Sequence, residues 1–266
     1  MADNNIGAII CPNCGKLISA SAASCMHCGA KNPNLWGLGD FLRKFFGRQA
    51  SFIPAIVAAC SALFGLSLLL DFRNITGLLS PSFQVIRALG MTGTVPVATG
   101  RWWTVVTAVY LHGNLLHIAF NMMALRQLGA PVEELYGVSR TFVIYTFSGI
   151  LGFIVSAYTG TGYTLGASGA IFGLLGALLY YGKKRGGVFG QSIYRQSLQW
   201  AIALFVFGFL FPGIDNFAHA GGFAGGYLSA GILGFIEIKR ENRSHLILAG
   251  CCILVTVGAF LLNFLN

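Results

Sequence analysis

The sequence predicts an all-α polytopic membrane protein preceded by a small metal-binding head, on three observations. Only 9% of the 266 residues are charged and 55% are hydrophobic, with a mean hydropathy of +0.71. A water-soluble domain has no means of keeping that much apolar surface wet. Apolar stretches near the roughly 20 residues a helix needs to cross hydrocarbon run at about 51–70, 105–129, 141–158, 165–182, 197–214, 216–236 and 245–265. Ahead of the first stand two Cys-x2-Cys knuckles separated by ten residues.

The knuckles are Cys11-Pro12-Asn13-Cys14-Gly15 and Cys25-Met26-His27-Cys28-Gly29. Four thiolates, Cys11, Cys14, Cys25 and Cys28, suit a closed tetrahedral zinc site, and the glycine after each second cysteine suits the turn. A reducing cytoplasm disfavours two disulfides in their place. Four thiolates leave no open ligand position, so the zinc is structural. A head over residues 1–32 is too small to fold without it, and His27 is not needed as a ligand. Residues 33–50 are a basic linker, and Phe41-Leu42-Arg43-Lys44-Phe45-Phe46 within it is amphipathic and suited to the membrane surface. The cysteine-bearing head ahead of residue 51 argues against a cleavable signal peptide. Cys60, Cys251 and Cys252 lie in apolar stretches and read as small hydrophobes.

Orientation follows from the basic residues. With the N-terminus in the cytoplasm, the inner set is Lys16, Lys31, Arg43, Lys44, Arg48, Arg126, Arg140, Lys183, Lys184, Arg185, Arg195, Lys239, Arg240 and Arg243, against Arg73, Arg87 and Arg101 outside. That asymmetry places the C-terminus outside. The same residues explain the formal charge of +9 as membrane-flanking bases, with no nucleic-acid partner.

Between the first and second stretches, residues 71–111 are too apolar for an ordinary loop. Pro81, Pro96 and several glycines forbid one continuous helix, and Trp102 and Trp103 beside Arg101 suit the headgroup boundary. A partly embedded segment on the outer face is predicted, packed on protein. The second stretch then carries His112, His117 and Asn121 to membrane depth, the last two on one helical side. Such groups commonly tie helices together; beside a serine and another histidine they become donors for a developing oxyanion.

Ser168 follows the loop Thr159-Gly160-Thr161-Gly162-Tyr163-Thr164 and is flanked by Gly166 and Gly169. Serines in membrane helices usually bond back to a carbonyl. This one falls in the first turn of a helix, where unpaired N–H groups favour an anion. It is not the Gly-x-Ser-x-Gly elbow of soluble hydrolases, which requires glycine at Ala170. His219 opens the sixth stretch ahead of Gly222 and Gly226, and Gly169, Gly173 and Gly176 offer a matching small face, so the two backbones can approach and bring imidazole to hydroxyl. Asp215, one turn before His219, is either an orienting carboxylate or a helix cap; a dyad is expected.

These residues resemble those of the rhomboid family of intramembrane serine proteases over roughly 51–240. The resemblance rests on Arg101 with its tryptophans, His112/His117/Asn121, Glu133-Glu134-Leu135-Tyr136-Gly137 before Arg140, Tyr145, Ser148-Gly149, Gly166-Ala167-Ser168-Gly169 and Ala218-His219-Ala220-Gly221-Gly222. It implies a rhomboid-like core of six helices over 51–240 around an outward-opening, water-filled cavity, gated by the fifth helix and a cap loop. Residues 241–266 are then an additional seventh transmembrane helix. It also implies Ser168 as nucleophile, His219 as general base and acid, and an oxyanion hole of His117, Asn121 and the Ser168 amide, with no cofactor for catalysis. One departure is Phe172, where many bacterial members carry a tyrosine that supports the histidine ring.

The expected activity is cleavage of transmembrane segments of client proteins, in a bacterial plasma membrane, with the site open to the outer side. A non-catalytic rhomboid-like scaffold usually lacks the serine or the histidine, and both are present. A small-molecule transporter is disfavoured by the lack of midplane charges and of an internal repeat.

Overall fold

The computed structural model describes residues 7–11, 14–34, 51–74, 76, 79–239 and 241–265. The predicted surface segment at 41–46, with most of the basic linker, lies outside the described residues.

The head is a two-stranded antiparallel ribbon, β1 (Ala8–Ile10) and β2 (Leu17–Ser19), with Ile9 opposite Ile18. Ile9, Ile18, Cys11 and Cys25 are its entire buried apolar cluster among the described residues. Four side chains are too few to outweigh the conformational entropy of folding, which is why the cysteines matter here.

Seven long helices follow among the described residues: α1 (Ile53–Leu70), α5 (Leu115–Tyr136), α6 (Val138–Tyr158), α7 (Ser168–Arg185), α8 (Gly187–Leu210), α9 (Asn216–Leu233) and α10 (Arg243–Leu265). Three short helices, α2 (Phe83–Leu89), α3 (Thr94–Ala98) and α4 (Thr104–Thr107), lie between α1 and α5. The chain is thus an all-α multi-pass membrane protein. Only α1, α6, α8 and α10 are long and apolar enough to cross a membrane on length and composition alone. The other three carry charges near one end or a run of glycines, features a helix can hold where protein rather than lipid surrounds it.

α7 is central, packed on α5, α6, α8 and α9. Its contact with α9 is backbone on backbone: a Cβ on Gly222 would overlap the Gly169 carbonyl, one on Gly226 the Gly173 carbonyl, and one on Gly176 the Phe223 carbonyl. The small faces predicted from Gly169, Gly173, Gly176, Gly222 and Gly226 meet as expected, because residues four apart share one side of a helix.

Two predicted boundaries differ. The second stretch, expected at 105–129, is split: 104–110 forms α4 and a 3-10 turn, and α5 starts only at Leu115. Apolarity runs through this region without a break, but Asn114 is extended and its Oδ1 accepts from the His117 amide at 2.8 Å, so the cap sets the start. The fifth stretch, expected at 197–214, is α8, which begins at Gly187 and stops before the 211–213 turn.

Arg140, counted above among membrane-flanking bases, is instead wholly buried. Its guanidinium donates to the carbonyls of Tyr136, Gly234 (2.8 Å) and Lys239 (2.7 Å), stitching the start of α6 to the chain leaving α9. Its own amide donates to Glu241 Oε1 at 3.1 Å. Arg126 and Arg195 likewise lie within α5 and α8 rather than in loops.

Candidate active site

Ser168 is the first residue of α7, and His219 lies in the first turn of α9. Their helices start at the same end of the molecule and cross at the glycine contact, and the His219 Nε2 and Ser168 Oγ are 2.9 Å apart. Fifty-one positions of sequence thus collapse to one hydrogen bond, the geometry a base needs to take a hydroxyl proton. Ser168 is half-buried and His219 buried, so the base is the more shielded of the two.

The ring of His219 is held by stacking. Phe172, one turn along α7 from the serine, lies parallel to it with centroids 4.2 Å apart and planes 14° apart. The aromatic face expected of Phe172 is present, and no hydroxyl is required to fix the ring plane. The Nδ1 of His219 has no protein partner among the described residues.

Asp215 does not orient that ring. Its Oδ1 accepts from the Ala218 amide at 3.0 Å, capping α9, and its Oδ2 takes the Ser156 hydroxyl of α6. Of the two readings left open by the sequence, the structure selects the cap.

His117 is anchored by its neighbours. Its Nδ1 accepts from the Gly113 amide at 3.4 Å, which in a neutral ring leaves the hydrogen on Nε2. That nitrogen points at Gly166, two residues before Ser168: a Cβ there would stand 2.6 Å from it, and the φ of +124° also demands glycine. Asn121 Nδ2 donates to the His117 carbonyl at 2.8 Å, one turn back, which leaves one amide hydrogen uncommitted. His112 precedes α5, its ring 5.1 Å from that of His117.

A cavity of about 420 Å³ lies between the segments that precede Ser168 and His219 in the chain, and neither residue lines it. It runs between the loop before α7, at Thr161 and Thr164, and the turn into α9, at Phe211, Asp215 and Phe217. Both walls lead directly into the helices that carry the serine and the histidine.

Sequence reasoning missed three contributors. Asn114 was legible in principle as a capping residue three before His117. Ser156 and Asn263, which meets Arg101 at 2.7 Å, carry no local pattern, because their partners are remote in sequence.

In the head, the four cysteine sulfurs lie within 4.8 Å of one another. Cys11–Cys28 and Cys14–Cys25 are separated by 3.8 and 3.6 Å, near the ~3.8 Å edge of a tetrahedron with metal–sulfur bonds of about 2.3 Å, and far beyond a disulfide bond of about 2.05 Å. The knuckles repeat one turn: the Gly15 amide donates to the Cys11 carbonyl and the Gly29 amide to the Cys25 carbonyl, each at 2.8 Å and each glycine at φ +70°. The residues fit a zinc ion.

Comparison with known proteins agrees with both halves. Residues 99–236, more than half of the chain, match the rhomboid domain family, and residues 10–32 match the zinc-ribbon domain family. The rhomboid protease GluP of Bacillus subtilis is 39% identical over 179 residues, covering 67% of this chain and 35% of that protein. RHOMBOID-like protein 5 of Arabidopsis thaliana is 36% identical over 178 residues, 63% of this chain and 54% of that protein. Rhomboid-type serine protease 2 of Emericella nidulans is 37% identical over 151 residues, 54% of this chain and 29% of that protein. The chain therefore spans between 29% and 54% of the length of these curated relatives.

Proposed function

Because this chain belongs to the rhomboid family, whose members include named proteases, we propose that it is an intramembrane serine endopeptidase acting through Ser168 and His219 on transmembrane segments of other membrane proteins. The observation that carries the reading is the 2.9 Å contact between His219 Nε2 and Ser168 Oγ at the paired starts of α7 and α9.

In the mechanism, Ser168 Oγ attacks the carbonyl carbon of a peptide bond in an unwound client segment while its proton passes to His219 Nε2. The carbonyl oxygen becomes an oxyanion. Its donors are the Ser168 amide at the start of α7, the His117 Nε2–H and the free Asn121 amide hydrogen, each worth about 2.7–4 kcal/mol in soluble proteases. Collapse breaks the C–N bond, and the leaving amine takes the proton from His219. Water, deprotonated by the same nitrogen, then releases the acyl group from Ser168 and restores the hydroxyl. Phe172 keeps the imidazole in plane through both steps. With Asp215 engaged by the cap and by Ser156, the unit is a dyad.

The reading extends to the rest of the chain. The core spans 51–240, residues 241–266 add a helix, and the head over 1–32 holds a structural zinc through Cys11, Cys14, Cys25 and Cys28. The proposed orientation has the head in the cytoplasm and the dyad toward the outer side, a reading supported by the excess of basic residues on one side, in what we propose is a bacterial plasma membrane. Client segments reach the dyad from the bilayer past α8 and the 211–215 turn, which borders the cavity.

Ser168→Ala and His219→Ala are each expected to lower cleavage by at least about a thousandfold with folding intact, and only the parent should react with a fluorophosphonate probe. Cleavage retained by Ser168→Ala would overturn the nucleophile. A folded parent that neither reacts with the probe nor cleaves a transmembrane substrate would favour a binding scaffold instead.

A further inference from the structure

α10 carries none of the reacting groups, yet a polar side chain near its end is buried. Asn263 is 4% exposed. Its Nδ2 donates to the Ala88 carbonyl at 2.8 Å, and its Oδ1 accepts from Arg101 Nη2 at 2.7 Å. Arg101 also reaches the Arg87 carbonyl at 3.4 Å. Space for this is left by Gly90, where φ is +110° and a Cβ would stand 3.0 Å from Asn263 Oδ1. Both ends of the amide are thus matched to partners in the segment between α1 and α5, one of them charged.

From Arg101 hydrogen bonds extend toward the loop that precedes the serine. Thr104 Oγ1 donates to the Arg101 carbonyl at 2.7 Å and lies 3.0 Å from Thr92 Oγ1. Thr92 and Thr164 exchange backbone bonds at 3.1 and 2.7 Å, and the Thr94 amide donates to the Thr161 carbonyl at 2.8 Å. The Gly166 amide donates to the Ala108 carbonyl at 2.9 Å, two residues before Ser168 opens α7. The loop that delivers the serine is therefore hydrogen-bonded along its length to the segment that Asn263 grips.

We infer that Asn263 is a positioning residue for Ser168: with Arg101 it forms a latch by which the seventh helix holds the 83–110 segment, and through it the 161–166 loop, in register with His219. The inference rests on the reading of Ser168 as nucleophile. A residue that merely joined α10 to the bundle would affect every helix alike when removed; a latch acts on the serine loop first.

The test uses the full-length protein in detergent, comparing the parent with Asn263→Ala, Asn263→Asp, Arg101→Ala and the Arg101→Ala/Asn263→Ala double variant. The readouts are the fluorophosphonate labelling rate and amide hydrogen exchange at Thr92, Thr164 and Gly166 against the interior of α7 and α9. Asn263→Ala is expected to slow labelling roughly tenfold or more, the scale of one charge-assisted hydrogen bond, with faster exchange at the three loop amides alone. Asn263→Asp, which keeps an acceptor for Arg101, should recover part of the rate. The double variant should be little slower than Arg101→Ala, since both substitutions break one latch. Unchanged labelling by Asn263→Ala beside a reactive parent, or faster exchange spread evenly over α7 and α9, overturns the latch. An unreactive parent overturns the nucleophile, and with it the latch's effect on catalysis.

Discussion

Helix α7 is buried along most of its length and meets one buried face of α9 through glycines, with the serine and histidine at that contact, whereas α8 and α10 turn isoleucine, leucine and phenylalanine outward along most of theirs. The apolar window of α10 has a mean hydropathy of 2.4 and is 11% buried, and that of α8 has 1.2 and is 17% buried. In a soluble protein the buried helix would be the oily one. Here lipid already supplies an apolar surround, so there is no hydrophobic gain in packing helix on helix; what draws α7 to α9 is close fit, and close fit needs small residues. The same closeness brings Ser168 within hydrogen-bonding distance of His219.

The contrast can be broken most severely at the inner pair. Gly226→Leu puts a side chain where the Gly173 carbonyl lies and is expected to destabilise by roughly 3 kcal/mol or more, separating serine from histidine. Thermal unfolding in detergent and probe labelling should both report the loss; a folded, reactive variant would show that the backbone contact is dispensable. A smaller effect is expected one turn from the serine. Phe172→Ala removes a stacked pair worth about 0.5–1.5 kcal/mol, or up to about tenfold in rate, whereas Phe172→Tyr should keep the parental rate. An equal loss in both would mean that stacking is not what holds His219.

Away from the inner pair the effects should fade. A Cys11→Ser/Cys14→Ser variant, or chelation of the metal, is expected to unfold the head, seen as loss of stoichiometric zinc and of protease resistance in residues 7–34, while measurable cleavage by the helical core persists. Complete loss of cleavage would tie the head to catalysis. On the lipid side, Leu254→Ala, at a position 72% exposed, should shift stability within about 0.5 kcal/mol. A large shift there would place protein, not lipid, against α10.

Much of this arrangement was legible in the sequence because its signals are local. Cys-x2-Cys-Gly fixes a turn and two neighbouring thiols within five positions, and the spacing of Gly169, Gly173, Gly222 and Gly226 fixes which helical faces are small whatever they later touch. Apolarity located the spans but not their ends. At α5 the start is set by Asn114, a single cap inside an unbroken apolar run, and α8 extends ten residues earlier than the expected 197.

What the sequence by itself determined is therefore the membrane class, the cysteine cluster and the choice of Ser168 and His219 as the candidate pair, all legible from composition or short motifs. The tertiary structure alone decided that Asp215 caps α9 and takes Ser156 rather than His219, that Arg140 is buried among carbonyls, and that Asn263 meets Arg101. Each of these is a polar group choosing among partners. In the low-dielectric interior that choice is enforced by the cost of leaving any of them unpaired, and it is settled only when remote segments arrive together.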